Sequence, residues 1–313
     1  MREAAEWPSS SEVHTAVALR VKQLLDEHPG PVADIGREAL QSGHGILSDQ
    51  PHSVTTVLVP GACIAAGADW HTAVWPAAAA ELMMAAADLF DDVADGDQVS
   101  CSGHSSGITL TAAAGLLSLA SVSVTRVVEH GASPATAAAL AGLMGSGFAR
   151  AANGQALNLQ SHPDAEDALA AYSQAAAKSG PLGELIAQLG ARTATDDPDI
   201  VALLGEFGRR VAIRSQLLND ARDAAPNPRT WKADVRAGAR TVPLVFAGSK
   251  GAPAGLRESD VDRWEHAERD RIAAAGGLAA AHALAEAERV RALRAVDQLA
   301  SRGCPVAGLV KLV

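Results

Sequence analysis

Apolar side chains recur at helical spacing along almost the whole of this sequence, and few of them are large. The stretch EVHTAVALRVKQLLDEH sets Val13, Val17, Leu19, Val21, Leu24 and Leu25 on one broad stripe, and Pro31 follows to stop it. No alternating run of Val, Thr and aromatic residues bounded by tight-turn dipeptides interrupts this pattern. Aromatics make up only 3% of the 313 residues, so small aliphatic side chains have to fill the interior. Small side chains suit close helix–helix packing and suit a sheet poorly. The expected fold is therefore all-α. Further helices are expected near 71–95, 109–130, 134–158, 164–178, 180–192, 198–224, 233–248, 258–274 and 277–301. The loops between them carry Gly, Pro and Asp, and none is long or biased enough to link domains. A single domain over residues 1–313 is the economical expectation.

A net charge of −10 argues against nucleic acid or an anionic membrane as partner, because either would be repelled. An anionic substrate would have to be held locally, by metal ions or a few placed basic residues. Cys63, Cys101 and Cys304 lie far apart without metal-ligand spacing and read as reduced thiols of a cytoplasmic protein. The N-terminus lacks a cationic-then-apolar targeting pattern. The best membrane candidate, around 71–95, is interrupted by Pro76, Glu81 and Asp88, so no transmembrane segment is expected.

Two acidic clusters carry the chemistry. DLFDDVADGD places Asp91, Asp92 and Asp95 at i, i+1 and i+4 directly after an apolar run. Residues i and i+4 share a helix face, so these carboxylates repel one another unless a cation bridges them. Asn219, Asp220 and Asp223 repeat the spacing within QLLNDARDA, in a second long apolar helix. One such cluster reads equally well as a solvated helix end, as Asp196, Asp197 and Asp199 do in TATDDPDI. The repetition favours Mg²⁺, a hard cation suited to carboxylate and phosphate oxygens. Two such helices facing one another across a pocket would grip a diphosphate.

With these motifs the sequence resembles the trans-isoprenyl diphosphate synthase, or polyprenyl synthetase, family. DDVAD at 91–95 and QLLNDARD at 216–223 are similar to that family's two aspartate-rich motifs. GQALNL at 154–159 resembles its Gly-Gln helix, and AYSQAAAKSG at 171–180 its Lys-Thr-Gly segment, with Ser179 replacing Thr. KADVRAGARTVPLV at 232–245 resembles a further motif, with Arg240 in place of Lys, and the likeness spans roughly residues 50 to 305.

The resemblance implies the all-α isoprenoid-synthase fold, an antiparallel helical barrel around a deep apolar cavity, and a homodimer. It implies that Asp91, Asp92, Asp95, Asn219, Asp220 and Asp223 bind two or three Mg²⁺ ions. Lys178, Lys232 and Arg240 would neutralise the substrate diphosphate. Gln216 and Gln155 would line the cavity near a developing allylic cation. Asp91, Asp92, Lys178 and Gln216 are the implied catalytic group.

The sequence departs from this family where chain-elongating members bind isopentenyl diphosphate. They carry Gly-Gly-Lys-Arg-x-Arg upstream of the first acidic motif, whereas TTVLVPGACIAAG at 55–67 has no basic residue. They carry Arg-Arg-Gly downstream, whereas GDQVSCSGHSSGITL offers only His104. Without these charge-assisted contacts a second diphosphate is almost unheld. The expected enzyme therefore ionises one allylic prenyl diphosphate and cyclises or quenches the cation, as a terpene synthase does. The alternatives are a prenyltransferase, either with another acceptor or condensing isopentenyl diphosphate, and a non-catalytic partner of a prenyl synthase.

Pocket depth follows from Met83, Met84, Ala86 and Ala87. Bulky residues four and five before the first motif close the cavity in the family, and here both are alanine. At about 1.5 Å per residue, Met84 lies roughly 10 Å below Asp91, deep enough for fifteen or twenty carbons. Trp70, Trp75 and Trp231 either offer ring faces to a carbocation or are ordinary core residues.

Overall fold

Residues 7–42, 45–48, 53–95, 103–160, 167–227 and 234–313 are described by a computed structural model of the chain. They form twelve α-helices and no strand. In order these are α1 (Ser10–Glu27), α2 (Pro31–Gln41), α3 (Val54–Ala65), α4 (Val74–Asp95), α5 (Ser106–Thr125) and α6 (Pro134–Gln160). There follow α7 (Ala168–Ala194), α8 (Pro198–Asp223), the short α9 (Asp234–Ala237) and α10 (Val242–Phe246), then α11 (Glu258–Ala274) and α12 (Gly277–Ser301). The all-α expectation holds. The chain divides into two compact units, one of residues 1–148, 184–208 and 293–313, the other of 149–183 and 209–292.

In the first unit α4 packs along α5 and against α1 and α3. The stripe expected on α1 is buried at Val13, Val17, Val21, Leu24 and Leu25, but Leu19 is 58% exposed. Ser9 and Glu12 close a capping box at its start, each side chain satisfying the other residue's backbone N–H. Pro31 does not end α1. It opens α2 at a position whose N–H has no helical partner, where proline costs nothing. Helix α3, with Pro60 inside it, lies outside the helices expected from the sequence. Ala77, Ala78, Ala79 and Ala80 of α4 are all fully buried. Glu81 follows them, buried and accepting from Thr56 Oγ1 at 2.6 Å and Ser53 Oγ at 3.0 Å. Burial raises its carboxyl above the usual range, and the two hydroxyls oppose that shift.

Two stretches, Trp70–Ala94 and Ser106–His130, are long and apolar enough to cross a membrane by length and composition alone. The first is mostly enclosed within the protein, as a core helix is, while 44% of the second's apolar window is buried. The sequence reading weighed only the first. Helix α5 carries no charged residue from Ser106 to Thr125.

In the second unit Ala171, Ala176, Ile213, Leu217, Ala221, Val242, Ala281 and Ala285 join α7, α8, α10 and α12 in one core. The two helices expected at 164–178 and 180–192 are one, since α7 runs unbroken through Gly180 and Pro181. Conversely, the helix expected over 233–248 is broken. Gly238 adopts φ +69, which a residue with a Cβ resists, and so ends α9. Helices α11 and α12 match their expected limits.

Candidate functional site

The second acidic cluster occupies the last turns of α8, within the second unit. Asp220 and Asp223 are each 5% exposed. Neighbours on the same helix hold both, at the i, i+4 spacing where side chains meet. Gln216 Nε2 donates to Asp220 Oδ1 at 2.7 Å, and Gln216 Oε1 accepts from Ser179 Oγ at 3.1 Å. Asn219 Nδ2 donates to Asp223 Oδ2 at 3.0 Å, while Asn219 Oδ1 accepts from Arg222 at 3.1 Å. An amide is the group that can serve a carboxylate and a guanidinium at once, which an aspartate at position 219 could not.

The Asp220 carboxyl is pushed up to about 7. Burial is the main cause; Asp234 and Asp223 raise it further, while the Gln216 hydrogen bond and the Lys178 ammonium lower it. Asp223, Asp234 and Lys178 thus all act electrostatically on Asp220. Asp234, the first residue of α9, was missing from the expected site, although it lies inside the quoted motif at 232–245. The nearly buried Asp220 and Asp223, with Asp234 raising the cost of charge at Asp220, supply the hard oxygen donors that Mg²⁺ favours. No group of three or more His, Cys, Asp or Glu side chains among the described residues is arranged to hold a metal on its own.

Lys178 and Ser179 sit at the middle of α7, one helix turn before its internal proline is complete. Pro181 has no N–H, so the carbonyl of Ala177 loses its helical partner. Gly154 of α6 lies against that carbonyl: a Cβ placed on Gly154 would stand 2.1 Å from Ala177 O and 2.9 Å from Lys178 N. The glycine of GQALNL is therefore the condition for α6 to approach the backbone that carries Lys178. Gln155, the next residue, is half-buried on α6, and Arg240 is half-buried between α9 and α10.

The first acidic cluster ends α4, in the first unit. Asp91 and Asp92 are partly exposed. Met84, Ala87 and Asp91 follow one another at three- and four-residue steps on the open side of α4, whereas Met83 and Ala86 have no exposure. The four residues expected along the cavity thus divide between two sides of the helix. Asp95 is the last residue of α4, and its side chain lies outside the described residues, as do Lys232, Trp231 and Cys101. Trp75 is buried with the guanidinium carbons of Arg20 and Arg126 each 5.1 Å from its ring centroid. Trp70 stacks on His71 at 3.9 Å. Both rings are used in packing. In the segment where a second set of arginines was sought, His104 pairs with Glu38 at 3.4 Å.

No protein-family model and no curated protein matches the chain. Solved structures do. A geranylgeranyl pyrophosphate synthetase from the archaeon Geoglobus acetivorans superposes with a TM-score of 0.76 at 17% identity, over 96% of this chain and 97% of that one. A polyprenyl synthetase from Streptomyces coelicolor A3(2) gives 0.75 at 19%, over 96% and 98%. A polyprenyl synthase from Caulobacter crescentus CB15, complexed with calcium and isoprenyl diphosphate, gives 0.72 at 22%, over 94% and 93%. The fold is therefore the all-α fold of these prenyl diphosphate synthases.

Proposed function

We propose that this protein is a class I isoprenoid synthase that ionises an allylic prenyl diphosphate in the presence of Mg²⁺. The observation that carries the reading is the nearly buried pair Asp220 and Asp223, with Asp234 and Lys178 acting on Asp220, on the fold of prenyl diphosphate synthases. Bound Mg²⁺ would supply Lewis-acid withdrawal of charge onto the departing diphosphate. Asp220 and Asp223 on α8, with the Asn219 amide, would hold the ion, and Asp91, Asp92 and Asp95 at the end of α4 are a separate acidic cluster of the same donor type. Lys178, Lys232 and Arg240 neutralise diphosphate oxygens. Gln216, fixed between Ser179 and Asp220, keeps the Asp220 carboxylate turned toward its cation. The substrate class is farnesyl or geranylgeranyl diphosphate, in keeping with the small Ala86 and Ala87 that precede Asp91.

The cation is then cyclised or quenched rather than condensed with isopentenyl diphosphate. Supporting this, α3 carries no basic residue and the loop before α5 offers only His104, already engaged by Glu38. A second reading, condensation with isopentenyl diphosphate, is favoured by the activities in the names of the matched structures. The two part cleanly when purified protein is incubated with Mg²⁺ and geranyl, farnesyl or geranylgeranyl diphosphate, alone and with isopentenyl diphosphate. Pyrophosphate release from an allylic substrate alone, with a hydrocarbon or alcohol product, is the expected result. Release only with isopentenyl diphosphate, yielding a longer diphosphate, would overturn it.

The protein is further proposed to be a homodimer through α5. Thr111, Ala114, Ser118 and Ser121 form an exposed, uncharged strip of small side chains at helical spacing. In a two-fold contact each residue is met twice, so Ser118→Arg sets two like charges into one interface. Light scattering after gel filtration should report a dimer for the wild type and a monomer for the variant.

A further inference from the structure

We propose that Arg269 is a positioning residue for the second acidic cluster, acting with Glu265 and Arg236 as an ionic clamp, centred on the buried Glu265, between the end of α8 and the segment carrying Asp234. This rests on the functional reading above, which gives the clamp its purpose.

The last carbonyls of a helix have no partner within it. At α8 they belong to the turn that carries Asp220 and Asp223. Arg269 of α11 has no exposure. Its Nη1 donates to the backbone carbonyl of Asp223 and to that of Ala225, the latter at 3.3 Å. Its Nε and Nη2 donate to Glu265 Oε1 at 3.1 and 2.6 Å, and Glu265 has no exposure either. The other oxygen of that carboxylate accepts from Nε of Arg236, whose Nη2 reaches Asp262 Oδ1 at 2.8 Å. Arg236 stands two residues after Asp234. One buried carboxylate therefore holds two guanidinium groups, one gripping the end of α8 and the other carried by α9 itself.

Stability alone does not call for charge here. Ala224, Val235, Leu244 and Ile272 already join the same segments through apolar packing, and buried ion pairs are often replaceable by apolar side chains without loss. What the guanidinium adds is direction, since its rigid fork fixes the atoms it binds. The fixed atoms matter because Asp234 raises the cost of charge at Asp220, a repulsion that drives apart the two segments that the clamp joins. A positive group at the C-terminal end of α8 also complements the helix dipole.

The test is calorimetric titration of MgCl₂ with inorganic pyrophosphate into the full-length wild type, Arg269→Lys, Glu265→Gln and Arg236→Met. Helical circular dichroism and melting temperature are followed alongside. Leu204→Ala, a core truncation in the other unit, serves as an equally destabilised control. Lysine keeps the charge but cannot span two carbonyls and a carboxylate, so Arg269→Lys is expected to weaken binding about tenfold or more. Glu265→Gln should act in the same direction, and Arg236→Met more weakly. Leu204→Ala should bind as the wild type does. Binding within twofold of wild type in all three clamp variants would overturn the inference. So would an equal loss in Leu204→Ala, since the clamp would then act through stability alone. A wild type that binds no Mg²⁺–pyrophosphate would instead overturn the functional reading, and the clamp's purpose with it.

Discussion

Asp220→Asn is expected to cut allylic diphosphate turnover sharply while making the metal-free protein more stable at pH 8. A carboxyl carried from 3.8 to about 7 differs by about 4 kcal/mol between its two protonation states. The folded protein holds the Asp220 proton between those two values and the unfolded chain does not. That stabilisation is complete below about pH 4 and is lost as the pH rises through 7. Asparagine never ionises, so the variant escapes the loss. At about pH 4 the two proteins should melt close together; at pH 8 without Mg²⁺ the variant should melt about 5 °C higher, allowing for relaxation around the charge. Added Mg²⁺ should raise the wild-type melting temperature and leave the variant nearly unmoved, because only a ligand that binds the native state stabilises it. Turnover should fall on the order of 10²- to 10³-fold, the scale for removing one charge-stabilising group. Calorimetric melts at the two pH values, with and without Mg²⁺, separate this account from a surface aspartate, which would show none of these differences.

Gly154→Ala is the second large effect expected. Its methyl group would arrive 2.1 Å from Ala177 O, and neither helix backbone can yield locally, so α6 and α7 must part beside Lys178. Overpacking of this kind costs about 1–3 kcal/mol, and a displacement of about 1 Å at a substrate-positioning residue costs on the order of 100-fold in rate. The same substitution at Gly142, on the same helix, meets no atom within 4 Å. There it should stabilise by about 1 kcal/mol through helix propensity. Opposite signs from one chemical change on one helix would establish that backbone approach, and not helix content, decides the outcome.

The helices were legible where one face is apolar and the other is not. Helices α11 and α12 therefore matched their expected limits, and α4 and α8 nearly so. The effect of a proline depends on which carbonyl, if any, it deprives of a partner. Pro31 opens a helix, while Pro60 and Pro181 lie within helices. At Pro181 the deprived carbonyl faces Gly154, a contact between residues 23 positions apart that no local pattern announces. The break at Gly238 was missed because a positive φ is invisible in a run such as DVRAGARTVPL. At the candidate site the spacing of Asn219, Asp220 and Asp223 gave their shared helix. It could not give their burial, nor the part played by Asp234, whose charge reaches Asp220 from another element. Glu265 and Arg269 were equally hidden, since i, i+4 charge pairs usually lie on solvated faces.

Four successive residues, Ala77 to Ala80, cover more than a full turn of α4, and none has any exposed surface. The helix is enclosed on every side there, with one methyl group between its backbone and whatever surrounds it. Almost every inherited change at these positions adds atoms, because only glycine is smaller. Drift in this interior is therefore one-sided unless a gain on α4 is matched by a loss on α5, where Leu116 and Leu119 have volume to give up. Such a chain diverges by compensated pairs of substitutions, and its descendants should record that history as covariation between these two helices.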